Sequence, residues 1–313
     1  MHCPRLDHFV RLNYDGTVGR CGHMVNAPQF ENLDQLDNSN WLKEVKQQFE
    51  KNQWPKECVR CNQTENLGQG SIRLNTINFD QLQTHPDYLI VGGVLDNVCN
   101  SACLTCNENL STKIGSLKNK YYPIVDNSVR FWNFPQERIV HLDINGGEPS
   151  ASKNYKKLLA NLPKNVKSVR VNTNGSLIID ELQDLAATGI KVTVTVSLDG
   201  IGSVHDWVRW PIKWDKFYNN LMKYQSMPGI DLNTWTTVSA LNIGDFQNIQ
   251  NFINQHNLQH SYALLDTPRV LNVRYKNSLT QSYDAVFPGH VAIDKNNQHE
   301  LDQFLHKQQQ LRS

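Results

Sequence analysis

From about residue 88 onward the apolar residues recur in two alternating rhythms. Short runs at 88–96 (YLIVGGVLD), 138–145 (RIVHLDIN), 167–174 (KSVRVNTN), 191–199 (KVTVTVSLD), 231–241 (DLNTWTTVSAL) and 261–266 (SYALLD) predict strands. Between them, 155–162 (YKKLLANL), 178–189 (IIDELQDLAATG), 214–225 (WDKFYNNLMKYQ) and 244–256 (GDFQNIQNFINQH) carry helical spacing, several ending near Gly or Pro. Strand and helix alternating in this way are the signature of βα units and a parallel sheet, so the fold class is α/β. Periodicity alone leaves open a six-unit partial barrel and an open sheet. Before residue 88 the pattern is different. Residues 9–21 (FVRLNYDGTVGRC) alternate around an Asp-Gly turn and predict a hairpin. Residues 38–52 place Trp41, Leu42, Val45 and Phe49 on one helical face after a Ser/Asn start. After Pro288, residues 296–310 (NNQHELDQFLHKQQQ) predict an exposed helix to which no function attaches.

Composition narrows the classes. A chain of 313 residues can bury a substantial core. Lys and Arg number 31 against 30 Asp and Glu, so no global positive field marks a nucleic-acid partner. No window approaches the roughly 18 apolar residues of a membrane span, and the start lacks the basic and apolar runs of a secretory leader. A soluble, cytoplasmic protein is expected. The seven cysteines are odd in number, which speaks against a fully paired disulfide framework and for reduced thiols that serve metal.

Three of those thiols, Cys99, Cys103 and Cys106, form CxxxCxxC in the stretch 95–107 (LDNVCNSACLTCN), directly after the first predicted strand of the repeat. The carboxyl ends of strands are where α/β folds place their chemistry. Three thiolates can hold three irons of a cubane cluster and leave the fourth open to another ligand. Later strand ends carry their own short motifs: Gly146, Gly147 and Glu148 in LDINGGEPS, Asn174 in VNTNG, Ser197, Asp199 and Arg209 in SLDGIGSVHDWVR, and Asn242 in TTVSALNI. Taken singly each has a plain reading as a turn, a surface charge or a helix cap. Trp207, Trp210 and Trp214 have spacing that fits packing onto the sheet.

Taken in order, CxxxCxxC, Gly-Gly-Glu and the later strand ends resemble the radical S-adenosylmethionine (SAM) enzymes over roughly residues 88–266. The resemblance implies a partial (β/α)6 barrel over 88–268 with a C-terminal extension over 269–313. It implies a [4Fe-4S] cluster on Cys99, Cys103 and Cys106 whose open iron is chelated by the amino and carboxylate groups of SAM. Glu148 would then accept a hydrogen bond from the methionine amino group, with Gly146 and Gly147 allowing close backbone approach. Asn174 would point into the site, Ser197 and Arg209 would hold the SAM carboxylate, Asp199 would lie near the ribose, and Asn242 near the nucleoside. The activity implied is reductive cleavage of SAM to a 5'-deoxyadenosyl radical that abstracts a hydrogen atom from a peptide or small-molecule substrate, with an external electron donor such as flavodoxin or ferredoxin.

The remaining thiols, Cys3, Cys21, Cys58 and Cys61, complete a four-thiolate set closed by a CxxC. On donor chemistry alone the candidates are structural zinc and a fully ligated [4Fe-4S] cluster, with zinc the default for an isolated module. The stretch 1–80 resembles the auxiliary-cluster module called twitch or SPASM, in its shorter form, which normally follows the barrel and here precedes it. That resemblance implies a second [4Fe-4S] cluster rather than zinc, and a net oxidation or crosslink. Two other classes are compatible with the thiols: a non-catalytic iron-sulfur electron carrier or redox sensor, and a zinc-stabilised binding protein. Gly146 to Glu148, Ser197 and Arg209 favour catalysis over the electron carrier, and the colour of an anaerobic preparation separates the zinc reading.

Overall fold

The computed structural model describes residues 1–66, 68, 70–80, 86–118, 123–280 and 293–312. Residues 281–292 of the expected C-terminal extension, Pro288 among them, lie outside the described residues. All six strands expected after residue 88 form: β3 (Leu89–Val94), β4 (Ile139–Asn145), β5 (Ser168–Thr173), β6 (Lys191–Ser197), β7 (Ile230–Val238) and β8 (Gln259–Leu264). Each pairs in parallel with the next, in chain order. Sequential order without reversal is the winding of a (β/α) barrel and not that of a doubly wound sheet. The sheet stays open, because its two outermost strands are β8 and β2 (Val18–Gly19).

The alternation in the sequence separates two chemically different faces. Val91, Leu142, Val169, Val171, Val192, Val194 and Val196 point outward into one continuous core with Leu158, Leu182, Phe217, Leu221 and Ile249 from the covering helices. The intervening positions form an inner face of His141, Asp143, Asn145, Arg170, Asn172, Thr193, Thr195, Asn233 and Trp235, in register across β4 to β7. Arg170 and Asn172 on this face are exposed. Between β4 and β7 the barrel interior is therefore mostly polar and suited to a hydrophilic ligand, while Phe9 and Ile90 pack with Phe79 on its β1–β3 side.

The N-terminal hairpin forms where expected and joins the barrel sheet. β1 (Phe9–Leu12) pairs antiparallel with β2 and parallel with β3. Asn127 fastens it from the side: the buried amide donates to the carbonyls of Asn13 (2.9 Å) and Val94 (2.7 Å). At Gly93 the backbone (φ +98°) runs so close to β1 that a Cβ would lie 2.1 Å from the Leu12 carbonyl oxygen. The β1–β3 pairing thus requires glycine at that position.

The C-terminal helix Gln298–Arg312 is not the free surface helix that its composition suggests. Leu301 is fully buried, and Phe304 and Leu305 pack with it against Leu104, Val208, Leu241 and Leu271. Of the three tryptophans, Trp214 alone packs with the barrel helices, against Phe217 and Phe252. Trp207 is 41% exposed, and the Trp210 ring has the Lys113 ammonium and the Arg312 guanidinium each 5.6 Å from its centroid.

Gly93→Ala should separate β1 from β3 and lower stability by more than about 2 kcal/mol, read as a shifted urea midpoint. Gly189→Ala is the comparison, since a Cβ there meets nothing within 4 Å. If the two variants lost stability equally, the close approach at Gly93 would not matter.

Candidate active site

The cysteine loop leaves the carboxyl end of β3 and is shaped by its own polar side chains. Asp96 Oδ1 accepts from the Val98 N–H (3.1 Å). The Thr112 hydroxyl accepts from the Cys99 N–H (3.1 Å), and the Ser111 hydroxyl donates to the Ser101 carbonyl (2.7 Å). The Ser101 hydroxyl lies 3.4 Å from Cys99 Sγ and 3.5 Å from Cys103 Sγ. One serine therefore touches two of the three thiols. Burial pushes the Cys106 thiol up to about 12, helped by Cys103, and raises Cys99 as well. Thiols held neutral in this way give up their protons when they ligate metal.

The Gly-Gly-Glu turn after β4 is pressed against that loop. Gly146 (φ +115°) and Gly147 (φ +53°) adopt backbone that favours glycine, and a Cβ on Gly147 would lie 2.2 Å from the Val98 carbonyl oxygen. The Glu148 N–H donates to the same Val98 carbonyl (2.7 Å). The Glu148 carboxylate, 1% exposed, gathers four donors. Oε1 accepts from the Ser150 N–H (3.0 Å), the Ser150 hydroxyl (2.6 Å) and the Thr173 hydroxyl (2.6 Å), and Oε2 accepts from the Asn174 N–H (2.6 Å). Oε2 keeps room for one more donor.

The other sequence-predicted residues divide into those that line the cavity and those that brace it. A cavity of about 250 Å³ is bounded by the three thiols, Gly146 to Glu148, Asn174, Ser197, Asp199 and Arg209 together. Asn174 braces as well as lines: its amide donates to Asn100 Oδ1 (2.8 Å) and accepts from the Ser176 N–H (2.9 Å). Asp199 is paired within the protein, with Arg209 Nη1 at 2.6 Å and the Thr237 N–H at 2.8 Å. Asn242 is not in the cavity wall. Its amide bonds the Asp199 and Thr237 carbonyls (both 3.1 Å) and the Ser239 N–H (2.8 Å), which ties the end of β7 to that of β6. Sequence reading missed Ser101, Ser150, Thr173 and Thr237; only Ser150, two residues after Glu148, carried a readable signal.

Arg209 supplies the electrostatics. Burial opposes its charge, yet Cys103 and the Asp199 carboxylate raise its pKa above the ordinary guanidinium value. Its Nε is buried without a hydrogen-bond partner. A guanidinium in the wall of a cavity that also holds three thiols fits an anionic group such as an amino-acid carboxylate.

The other four thiols also come together. Cys3, Cys21, Cys58 and Cys61 line one small cavity with Arg5, His23, Trp54 and Arg73. Burial, with Cys21 beside it, pushes the Cys3 thiol up to about 12. The Arg11 side chain leaves β1 at the level of Gly92 and Asp143 and reaches Gly22, next to Cys21. Among the described residues, no three His, Cys, Asp or Glu side chains converge tightly enough to chelate a single ion. At both sites the thiols instead line the walls of a shared cavity.

No family model and no curated protein matches the chain. Among solved structures it is similar to native anSMEcpe with bound AdoMet, at 18% identity and TM-score 0.42 over 56% of this chain and 52% of that one. It is also similar to Streptococcus suis SuiB bound to S-adenosylmethionine, at 13% identity and TM-score 0.46 over 98% of this chain and 70% of that one. For SuiB bound to precursor peptide SuiA the values are 12%, 0.39, 91% and 78%. The chain spans about half the length of anSMEcpe. Superpositions this loose decide nothing about the chemistry, which rests on the cavity.

Glu148→Ala should leave two backbone N–H groups and two hydroxyls without their acceptor and cost about 3 kcal/mol or more, measured by urea denaturation. An unchanged midpoint would show that the carboxylate is dispensable to the fold. A second expectation concerns His205, fully buried between Trp214 and Phe217 with both ring nitrogens unpartnered. Burial, and then Arg209, lower its pKa from 6.5 to about 3. The unfolded chain therefore takes up the proton first, so this contribution to stability is complete above pH 6.5 and is lost as pH falls toward 3. His205→Phe should lose less stability than wild type between pH 6.5 and pH 4, roughly, in matched denaturant series. Parallel pH profiles would refute the assignment.

Proposed function

We propose that this protein is a radical SAM enzyme. The observation that carries the reading is the single cavity at the strand ends that joins three thiols to the Gly-Gly-Glu turn and to the Arg209 guanidinium. Cys99, Cys103 and Cys106 would hold a [4Fe-4S] cluster, and SAM would bind against it. When bound, cluster and SAM together supply reductive cleavage of the sulfonium and hydrogen-atom abstraction.

The chain's own groups bind, orient and exclude water. Glu148 Oε2 would accept from the SAM amino group, and its four internal donors fix the carboxylate in place beforehand. Arg209 would offer its guanidinium to the SAM carboxylate while Asp199 holds it through Nη1. Ser197 lines the same wall, and Asn174 ties its strand end to the cysteine loop. Asp199, which lines the same cavity and is held by Arg209 and Thr237, would lie near the ribose and also fixes the position of Arg209. Asn242 braces the end of β7 against that of β6, beside the place where the nucleoside would lie.

The inner face suits a hydrophilic substrate, a peptide segment or a polar metabolite, because His141, Asp143, Arg170, Asn172 and Asn233 present donors and acceptors along an open sheet. Cys3, Cys21, Cys58 and Cys61 would hold an auxiliary [4Fe-4S] cluster in the segment 1–80. Arg11 connects that site to the inner face, which fits a role in accepting an electron from the substrate and hence a net oxidation or crosslink. An external one-electron donor such as flavodoxin or ferredoxin completes the cycle. Seven free thiols suit a reducing compartment such as the cytoplasm.

Anaerobic reconstitution with iron and sulfide, followed by dithionite and SAM, should yield 5'-deoxyadenosine from wild type. A Cys99, Cys103, Cys106 triple alanine variant should yield none and keep roughly four of roughly eight irons. Iron uptake without SAM cleavage in wild type would identify an electron carrier instead, and a colourless preparation would exclude iron-sulfur clusters at both sites.

A further inference from the structure

We propose that Arg312, on the C-terminal helix, is a positioning residue that holds the cysteine loop and the Arg209 segment in register. The geometry stands on its own; the chemical consequence rests on the radical SAM reading. Two backbone bonds lay the loop alongside the segment after Ser203–Val208: the Ala102 N–H donates to the Trp210 carbonyl (2.7 Å) and the Leu104 N–H to the Val208 carbonyl (2.9 Å). They bracket Cys103 on one side and Arg209 on the other. The residue proposed to ligate the cluster and the residue proposed to hold the SAM carboxylate are thus set against each other by this short pairing.

The pairing leaves the carbonyls of Ala102 and Trp207 to be satisfied from elsewhere, and Arg312 satisfies both. Its Nη1 donates to the Trp207 carbonyl and its Nη2 to the Ala102 carbonyl, each at 2.6 Å. The guanidinium also lies 5.6 Å from the Trp210 ring centroid, which Lys113 approaches at the same distance. A planar fork bridges two fixed carbonyls from two separate nitrogens, whereas a lysine ammonium donates its three N–H groups from one nitrogen and cannot span them in the same geometry. The helix that delivers Arg312 is itself anchored on Leu104 and Val208, the two residues of the second backbone bond. One side chain, more than 200 residues downstream of Ala102, therefore clamps both walls of the site.

The test begins with the metal-free full-length protein and iodoacetamide, with alkylation of each cysteine followed by mass spectrometry. Arg312→Ala should raise the alkylation rate of Cys103 and Cys106 at least fivefold over wild type. Far-UV circular dichroism and the urea midpoint should stay at their wild-type values and report that the chain remains folded. Arg312→Lys should restore less than half of the lost protection, as expected if bridging rather than charge is what matters. In reconstituted protein, the SAM concentration that half-converts the reduced-cluster EPR signal should rise about tenfold in Arg312→Ala, while iron content stays at the wild-type value. Unchanged Cys103 and Cys106 rates in Arg312→Ala would overturn the proposal, as would full protection in Arg312→Lys. A wild-type protein that binds no iron would remove the radical SAM reading and leave the alkylation result to judge the clamp alone.

Discussion

A buried carboxylate organises this molecule. Glu148 receives donors from the turn that follows it and from the end of the neighbouring strand β5, so that two strand ends and the cysteine loop meet in a fixed arrangement. A carboxylate at 1% exposure is tolerable only because nearly every lone pair is met. That requirement propagates outward. Gly147 must be glycine for the turn to reach the Val98 carbonyl, and Asn174 must sit where its N–H finds Oε2 and its amide finds the loop. The site is stiff because its polar groups satisfy one another, a useful property where reactive chemistry must be confined.

Much of this was legible in the sequence. Period-two runs placed all six strands of the repeat, since a strand with an apolar side and a polar side alternates by construction. The cysteine spacing and the Gly-Gly-Glu turn pointed to one locale, and the cavity gathers those residues together. What escaped reading was decided by long-range pairing. Nothing local announces that β1 adds to β3, that Asp199 takes Arg209 for its partner, or that Asn242 spends its amide on two carbonyls. The polar helix near the C-terminus carries few apolar residues, so its pattern suggested exposure. Leu301, Phe304 and Leu305 suffice to dock it because the partner surface is already assembled.

The two thiol sets differ in how the fold supports them. Cys99, Cys103 and Cys106 stand on a loop tied by side-chain hydrogen bonds to the barrel. Cys3 and Cys21 come from loops and Cys58 and Cys61 from short helical turns, in a segment whose own core is small, with Leu6, Leu42, Val45 and Phe49 at its centre. A segment of that kind draws a larger share of its stability from whatever its thiols hold.

The pairing of β1 with β3 gives the cysteine-rich segment a second duty. β3 is an apolar run, LIVGGV, buried at nearly every position. Without the hairpin it would be the bare margin of a parallel sheet, the kind of flat hydrophobic border along which chains stick to one another. The N-terminal segment therefore serves as the seal on one side of the open barrel. Whatever loosens it exposes the barrel to aggregation.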